Sequence, residues 1–158
     1  MARLFFPTEP VQKSALIAWG CGLLPLSMRI DPAMAEPIAV VSDDGARVMA
    51  VAIFHEYRPE MGLIELTAAA KAHPIWWAHR DLMAGILRYP FVQLKARKLV
   101  VHVPQGNRAA MRFAEKAGLV HEASLRHHYA NKIHAAVWSM TAKEYGKSAW
   151  AERKAEAA

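Results

Sequence analysis

Hydrophobic and polar residues follow two different periods along this chain, and the change falls near residue 70. Before it, β-branched and apolar runs separated by turn residues are typical of strands. One helix interrupts them, beginning at Pro10 and ending near Pro25, with apolar positions at helical spacing. The predicted strands of this part are Leu4–Phe6, Ile38–Val41, Val48–Phe54 and Gly62–Ala70.

After residue 70 the apolar residues recur at helical spacing. They predict one helix that begins near Ile75 and ends at Pro90. They predict a second helix with Asn107 as its N-cap and Gly118 just beyond its end. Three further strands are predicted, at Leu99–Val103, Leu119–Arg126 and Ile133–Met140. This order predicts an α/β fold with a mixed sheet, as one domain over residues 1–142 and a helical tail over residues 143–158.

The charge of the chain favours an anionic partner without identifying one. Lysine and arginine number 20 against 14 acidic residues, which gives a net charge of +6. A solvated basic face, a phosphate-bearing small ligand and nucleic acid are all compatible with this balance. No recognised nucleic-acid-binding motif is present, so nucleic acid is the least expected partner. The predicted helix N-termini near Ile75 and Asn107 follow strands, and their free N–H groups suit a phosphate.

The longest apolar run, Ser14–Met28, is relevant to where in the cell the protein is found. A membrane span needs about 20 residues, and this run is shorter and interrupted by glycines and Pro25. Glu9 and two prolines precede it, where a signal peptide has a basic cluster. We therefore expect a buried helix and a cytoplasmic protein that does not enter the membrane. Cys21 is the only cysteine, which excludes an internal disulfide and a cysteine-based zinc site.

The eight histidines show no metal-binding spacing. No H-x-x-x-H pair with a helical carboxylate and no zinc-like pairing occurs, so no metal is predicted. His127 and His128 are expected to form a surface pair.

One segment resembles a known family. The run Asn107–Arg126 is similar to the cofactor-side helix–strand unit of the GNAT (Gcn5-related) N-acetyltransferases, in which an Asn opens a helix that ends in an E-K-x-G-F turn. Its version here is closest to the ribosomal-protein N-acetyltransferases and to small phage and prophage GNAT proteins. The segments Ile64–Leu66 and Tyr89–Leu94 also look like the phage-type sequences. The resemblance covers roughly Val40–Met140, and the residues that carry its main motif are Asn107, Ala110, Glu115, Lys116, Gly118, Leu119, Glu122 and Arg126.

The resemblance implies a GNAT-like acyl-CoA N-acyltransferase fold, with a mostly antiparallel sheet flanked by helices. It also implies acetyl-CoA as co-substrate and direct attack by an amine on the thioester. The fourth and fifth strands splay apart, the pantetheine arm lies in the gap, and the pyrophosphate lies on the following helix N-terminus. In this chain those elements are Gly62–Ala70, Leu99–Val103 and the helix from about Ile75.

Site residues follow from the same resemblance. Glu65 is the candidate base, its pKa raised beside Leu63 and Leu66; a surface Glu on an alternating strand is the equal alternative. Tyr129 is the candidate acid for the leaving thiolate, because Ala114 stands where many GNATs have a Tyr. The oxyanion donor is expected to be a backbone N–H within Thr67–Ala70. The candidate cofactor-binding residues are Thr67, Ala68, Ala70, Lys71, Trp77, Arg80, Asn107 and Arg112.

The phosphate loop departs from the family pattern. GNATs usually have Q/R-x-x-G-x-G/A there, whereas Lys71–Arg80 contains no glycine and carries Trp76 and Trp77. Two functions therefore stay open. The first is an acetyl-CoA-dependent N-acetyltransferase acting on a protein N-terminus, a lysine or a small amine. The second is a catalytically degenerate GNAT fold that serves as a structural or protein-binding module of a phage virion, as a homodimer or with other phage proteins.

Overall fold

Strands and helices follow one another in the order that the hydrophobic pattern predicts. The structure is a computed structural model, and it describes residues 2–24, 28–71 and 79–152. The strands in these ranges are β1 (Ala2–Phe5), β2 (Ala35–Ser42), β3 (Val48–Arg58), β4 (Leu63–Ala70), β5 (Lys98–Pro104), β6 (Val120–Leu125) and β7 (Ala135–Thr141). The α-helices are α1 (Pro10–Leu23), α2 (Arg80–Arg88), α3 (Arg108–Lys116) and α4 (Ala142–Lys147).

The described strands form one seven-stranded sheet in the order β1-β2-β3-β4-β5-β7-β6. Every neighbouring pair is antiparallel except β4 and β5, which are parallel. Tight turns join β2 to β3 and β3 to β4, and Gly45 and Gly62 supply positive φ angles of 72° and 64° in these turns. The parallel pair needs a longer crossover, and α2 lies within it. The prediction of a mixed, mostly antiparallel sheet flanked by helices is confirmed.

The core lies on both faces of this sheet, because successive side chains of a strand point to opposite faces. On one face α2 packs against the central strands, and buried residues of α3 and α4 join the same cluster. On the other face α1 covers β2, β3 and β4. The largest fully buried side chains include Ile38, Phe54, Ile64, Leu87 and Leu99.

Helix α1 packs against the sheet through Gly20. A Cβ atom at this position would lie 2.4 Å from Val51 Cγ1 and 3.2 Å from Ile53 Cδ1, and both of these β3 side chains are fully buried. Gly22, one half-turn later, has no heavy atom within 4 Å of its Cβ position. The two glycines of the same helix therefore differ in packing alone.

We expect Gly20→Ala to destabilise the protein by about 1–3 kcal/mol, because overpacking at a buried contact outweighs the better helix propensity of alanine. Gly22→Ala, the matched control, should be neutral or stabilise the protein by up to about 1 kcal/mol. Urea denaturation of both variants measures the two effects. A Gly20→Ala protein as stable as Gly22→Ala would contradict the close approach of α1 to Val51.

The predicted boundaries of three elements need comment. Helix α2 begins at Arg80 rather than near Ile75, with His79 as its N-cap, and residues 72–78 lie outside the described part of the chain. Pro90 ends α2 as predicted, but the chain then makes a π-helical turn over Tyr89–Gln93. Helix α4 is short, and Trp150 beyond it donates from Nε1 to the Ala117 carbonyl at 2.7 Å. The division at residue 142 stays a prediction.

The described helices are all too short or too polar to cross a bilayer.

Candidate active site

Strands β4 and β5 pair over only part of their length. The paired residues are Leu63 with Lys98, Ile64 with Leu99 and Glu65 with Val100, and no pairing between these strands continues beyond Glu65. Both strands nevertheless go on: β4 stays paired with β3 to Ala70, and β5 stays paired with β7 to Pro104. A gap therefore opens in the middle of the sheet between residues 66–70 of β4 and residues 101–104 of β5. We call it the β4–β5 gap.

Small side chains line the β4 side of this gap. Thr67, Ala68 and Ala70 are only partly buried although they belong to a central strand of the sheet. Because β5 does not pair with them, backbone groups on this edge of β4 have no neighbouring strand to bond. An extended ligand with amide groups fits such an edge, since it can add to the sheet as a strand does. The gap thus offers unpaired backbone groups to an extended ligand.

The chain leaves β4 at the open end of the gap and returns in α2. Lys71 and Arg80, the two cations predicted at the phosphate loop, are both exposed. His79 is the N-cap residue of α2, but its side chain makes no hydrogen bond to the first N–H groups of the helix. Trp77 lies outside the described residues.

Glu65 marks the point where the strands part, and a histidine accompanies it. Its Oε2 lies 3.5 Å from Nδ1 of His102, which is on β5 just beyond the last residue paired with β4. The side chains are 24% and 21% exposed, so both are enclosed yet reachable. A distance of 3.5 Å is at the long limit for a hydrogen bond, and such catalytic contacts often shorten only when substrate binds.

The pKa of Glu65 is lowered, and the expected rise is wrong. The hydrogen bond from His102 is the largest cause, and the charges of His102, His55 and Arg58 act in the same direction. Burial raises the pKa but is outweighed. The expectation failed because Leu66 points to the opposite face of the strand, whereas the imidazole of His102 shares the face of Glu65. Glu65 is therefore an ionised carboxylate at neutral pH.

His55 of β3 completes the polar group on this face. It is opposite Glu65 in the sheet, its side chain is buried, and its Nε2 lies 2.8 Å from Thr67 Oγ1. Burial lowers its pKa, against the opposing effect of Glu65 and Glu56. The His55 imidazole is therefore neutral at neutral pH, and the site carries the negative charge of Glu65.

Tyr129 reaches the same place from the connection between β6 and β7. This connection is held by backbone bonds, since Tyr129 N–H donates to the Ile133 carbonyl at 2.9 Å and His127 N–H donates to His134 Nδ1 at 2.9 Å. His128 stacks on His102 with ring centroids 5.1 Å apart, and its ring meets the Tyr129 ring edge-on at 4.9 Å. The predicted surface pair His127–His128 is indeed exposed, but His128 also packs against the site.

The Tyr129 phenol is half-buried, and its pKa is raised. Burial is the larger cause and the negative charge of Glu65 the smaller one, which places the phenol within electrostatic reach of that carboxylate. Tyr129 therefore keeps its proton at neutral and mildly basic pH. The two catalytic candidates that are distant in sequence, Glu65 and Tyr129, are brought together by the fold.

Asn107 and Arg112 lie on the α3 side. Asn107 is the N-cap of α3 and accepts from the Ala110 N–H at 3.2 Å, which confirms the predicted cap. Arg112 is exposed on the same helix. Their contacts with a cofactor stay predictions.

Sequence reasoning missed His55 and His102, because the histidines were tested only for metal-binding spacing. One signal was available: His55 directly follows the apolar run Val48–Phe54 of β3, and His102 lies among Leu99–Val103 of β5, where an ionisable side chain is unusual. Among the described residues, no cluster of three or more His, Cys, Asp or Glu side chains could hold a metal ion.

Solved structures share this architecture. A single-site mutant of spermidine N-acetyltransferase SpeG from Vibrio cholerae superposes with a TM-score of 0.75 at 14% sequence identity, over 91% of this chain and 95% of that one. A chimera of the Vibrio cholerae enzyme with hSSAT gives 0.72 at 15% identity, over 91% and 98%. The dodecameric Vibrio cholerae enzyme also gives 0.72 at 15%, over 91% and 95%. No family model and no curated protein sequence matches the chain.

This chain has the GNAT fold. The likeness spans nearly the whole of both chains. The predicted splay of the fourth and fifth strands is confirmed by the pairing of β4 with β5, which stops at Glu65.

Proposed function

We propose that this protein is an acetyl-CoA-dependent N-acetyltransferase that transfers an acetyl group to a primary amine. The observation that supports this most strongly is the contact of Glu65 with His102 at the start of the β4–β5 gap, with Tyr129 within electrostatic reach of Glu65. Transfer to an amine needs a proton acceptor, a proton donor and a stabiliser of the developing oxyanion. The first two are present as side chains, and the free edge of β4 supplies backbone N–H groups for the third.

In this proposal each part of the gap has a function. The edge formed by Thr67, Ala68 and Ala70 binds the pantetheine arm, with Asn107 contacting it from α3. The α2 N-terminus, with Lys71 and Arg80, binds the phosphates, and Arg112 adds positive charge. Trp77, which lies outside the described residues, stays a cofactor-binding candidate from the resemblance alone. Bound there, acetyl-CoA supplies the activated acetyl group. Glu65 attracts the ammonium form of the acceptor, and Tyr129 donates a proton to the leaving sulfur.

The acceptor is proposed only as a class. The structural neighbours from Vibrio cholerae are spermidine N-acetyltransferases, so their acceptor is a cationic amine. The ionised Glu65 carboxylate suits such an acceptor here, whether it is a polyamine, a lysine or a protein N-terminus. One neighbour is dodecameric, which favours self-assembly of this chain as well. Association with a phage virion stays a prediction from the resemblance.

Thermal unfolding with and without acetyl-CoA tests the proposal. At about 100 times its dissociation constant, acetyl-CoA should stabilise the protein by roughly 2.7 kcal/mol, because it binds only the folded state. For a domain of this length that is a rise in Tm of about 5–10 °C. Asn107→Ser is the matched variant, since serine caps a helix as well as asparagine does. It should keep the Tm of the free protein and show a smaller rise with acetyl-CoA.

Two results would contradict the proposal. The absence of any shift at millimolar acetyl-CoA would favour the degenerate binding module, as the glycine-free segment Lys71–Arg80 allows. The second result is a rise in Tm with acetyl-CoA but no acetyl transfer to spermidine or to a lysine-containing peptide with a free N-terminus. It would support cofactor binding and contradict the proposed catalytic activity.

A further inference from the structure

His102 occupies the position from which a side chain can reach both Glu65 and the β4–β5 gap. Val100 pairs with Glu65 and is the last residue of β5 to pair with β4. His102 follows Val100 by two residues and therefore lies on the same sheet face as Glu65. Helix α1 packs mainly on β2, β3 and β4 on this face. The imidazole of His102 lies on β5 beside the gap, and its side chain is 21% exposed.

The contact with Glu65 involves one nitrogen of His102 and leaves the other available. Nδ1 lies 3.5 Å from Oε2 of the carboxylate, so a proton on Nδ1 is directed to Glu65 and leaves the lone pair on Nε2. The ring plane is also held, because His128 stacks on it at 5.1 Å with an interplanar angle of 10°. A carboxylate that orients a neutral imidazole in this way produces a general base whose other nitrogen accepts the proton.

Among the described residues, three elements bring charged and titratable groups near His102. From β3 there is His55, with Glu56 and Arg58 further along the strand; from β4 there is Glu65; and from the β6–β7 connection there are His128 and Tyr129. On the same face of β5, Lys98 is paired with Glu122 at 2.5 Å, and Ser139 also donates to that carboxylate at 2.6 Å. Lys98 is thereby neutralised locally, and Glu65 is the carboxylate in contact with His102.

We propose that His102 is the catalytic base of the acetyl transfer and that Glu65 is its positioning residue. This inference rests on the proposed function. His102 Nε2 takes one proton from the acceptor ammonium. The freed lone pair of the amine forms the new C–N bond to the acetyl carbon, and the C–S bond of acetyl-CoA breaks. The second amine proton passes to sulfur through Tyr129, and His102 returns the first to water. The sum is R–NH₃⁺ plus acetyl-CoA giving the N-acetyl amine, free CoA and H⁺.

The test is the pH dependence of kcat/KM for spermidine or the lysine peptide, with wild type, His102→Gln and Glu65→Gln. His102→Gln should lower the rate by about 100-fold or more, and the acidic limb of the profile should disappear. Glu65→Gln should lower the rate less than His102→Gln does, because the imidazole keeps its Nε2 and loses only the carboxylate that orients it. Both variants should keep the thermal shift with acetyl-CoA. His121→Gln, on the exposed edge strand β6, is the control and should match wild type.

Chemical rescue separates a base from a structural role. Added imidazole should restore transfer by His102→Ala, whose cavity borders the gap, and should not restore transfer by Glu65→Ala.

The reverse pattern would overturn the inference. If Glu65 were the base, His102→Gln would keep a rate within about tenfold of wild type. Its acidic limb would move to higher pH, because the hydrogen bond that lowers the pKa of Glu65 is gone. Such a result leaves the acetyltransferase proposal standing. A wild-type protein that transfers nothing to either acceptor contradicts the proposed function itself, so the two failures are distinguishable.

Discussion

Replacing Tyr129 with phenylalanine should lower kcat by about 100-fold or more while leaving acetyl-CoA binding intact. The phenol is half-buried, and both burial and the Glu65 carboxylate raise its pKa, so it holds its proton where the reaction needs an acid. Phenylalanine keeps the ring that contacts His128 edge-on at 4.9 Å and removes only the hydroxyl. The expected loss is therefore one of chemistry and not of loop structure.

Steady-state kinetics and the acetyl-CoA thermal shift together check this. KM for acetyl-CoA and the shift should stay within about threefold of wild type, since binding and proton donation are separate functions. Tyr57→Phe is the matched control: Tyr57 is exposed, and its hydroxyl makes a long contact of 3.4 Å with the Leu94 carbonyl. A Tyr129→Phe enzyme as fast as Tyr57→Phe would show that water protonates the leaving sulfur.

Replacing Phe54 with alanine should destabilise the protein by about 3–5 kcal/mol. Phe54 is 1% exposed, is opposite Leu66 in the sheet, and its ring centroid lies 5.1 Å from that of Tyr89. The substitution leaves a cavity between the sheet and the end of α2 that these neighbours cannot fill without moving. Because a domain is stable by only about 5–15 kcal/mol, this is a large part of the total.

Urea denaturation measures this loss as a lower midpoint with an unchanged slope. Val120→Ala is the control, since Val120 is 50% exposed on the edge strand β6 and should cost no more than about 0.5 kcal/mol. A loss below about 1 kcal/mol for Phe54→Ala would mean that this part of the core is loosely packed.

The elements of this fold could be predicted because their signals are local. Pro10 begins α1, Asn107 caps α3, and Gly118 has the positive φ of 89° that a residue just beyond a helix adopts. Such signals depend on the backbone of a few neighbouring residues. Tertiary packing changes them mainly at element ends, as the later start of α2 and the π turn at Pro90 illustrate.

The site could be predicted only in part. Glu65 stood out as the acidic residue of an apolar strand, and Tyr129 as a tyrosine in a connection that the resemblance implicates. Their positions relative to each other depend on two pairs of neighbouring strands, β4 with β5 and β5 with β7, and the strands of each pair are far apart in the chain. An ionisable side chain in an apolar run marks His102 itself, but its pairing with Glu65 could not be predicted, because no local pattern states which residue of β5 lies beside Glu65.

The sequence by itself determined the order of strands and helices, the turns between the antiparallel strands, the caps, and a resemblance that named the correct fold. Periodicity and turn chemistry carry this information because each acts over a few residues. Only the tertiary structure decided that β4 and β5 part at Glu65, that His102 and Tyr129 face that point, and that Glu65 is ionised there. The physical reason is that strand register and the direction of a pKa shift are properties of neighbours in space, and those neighbours come from distant parts of the chain.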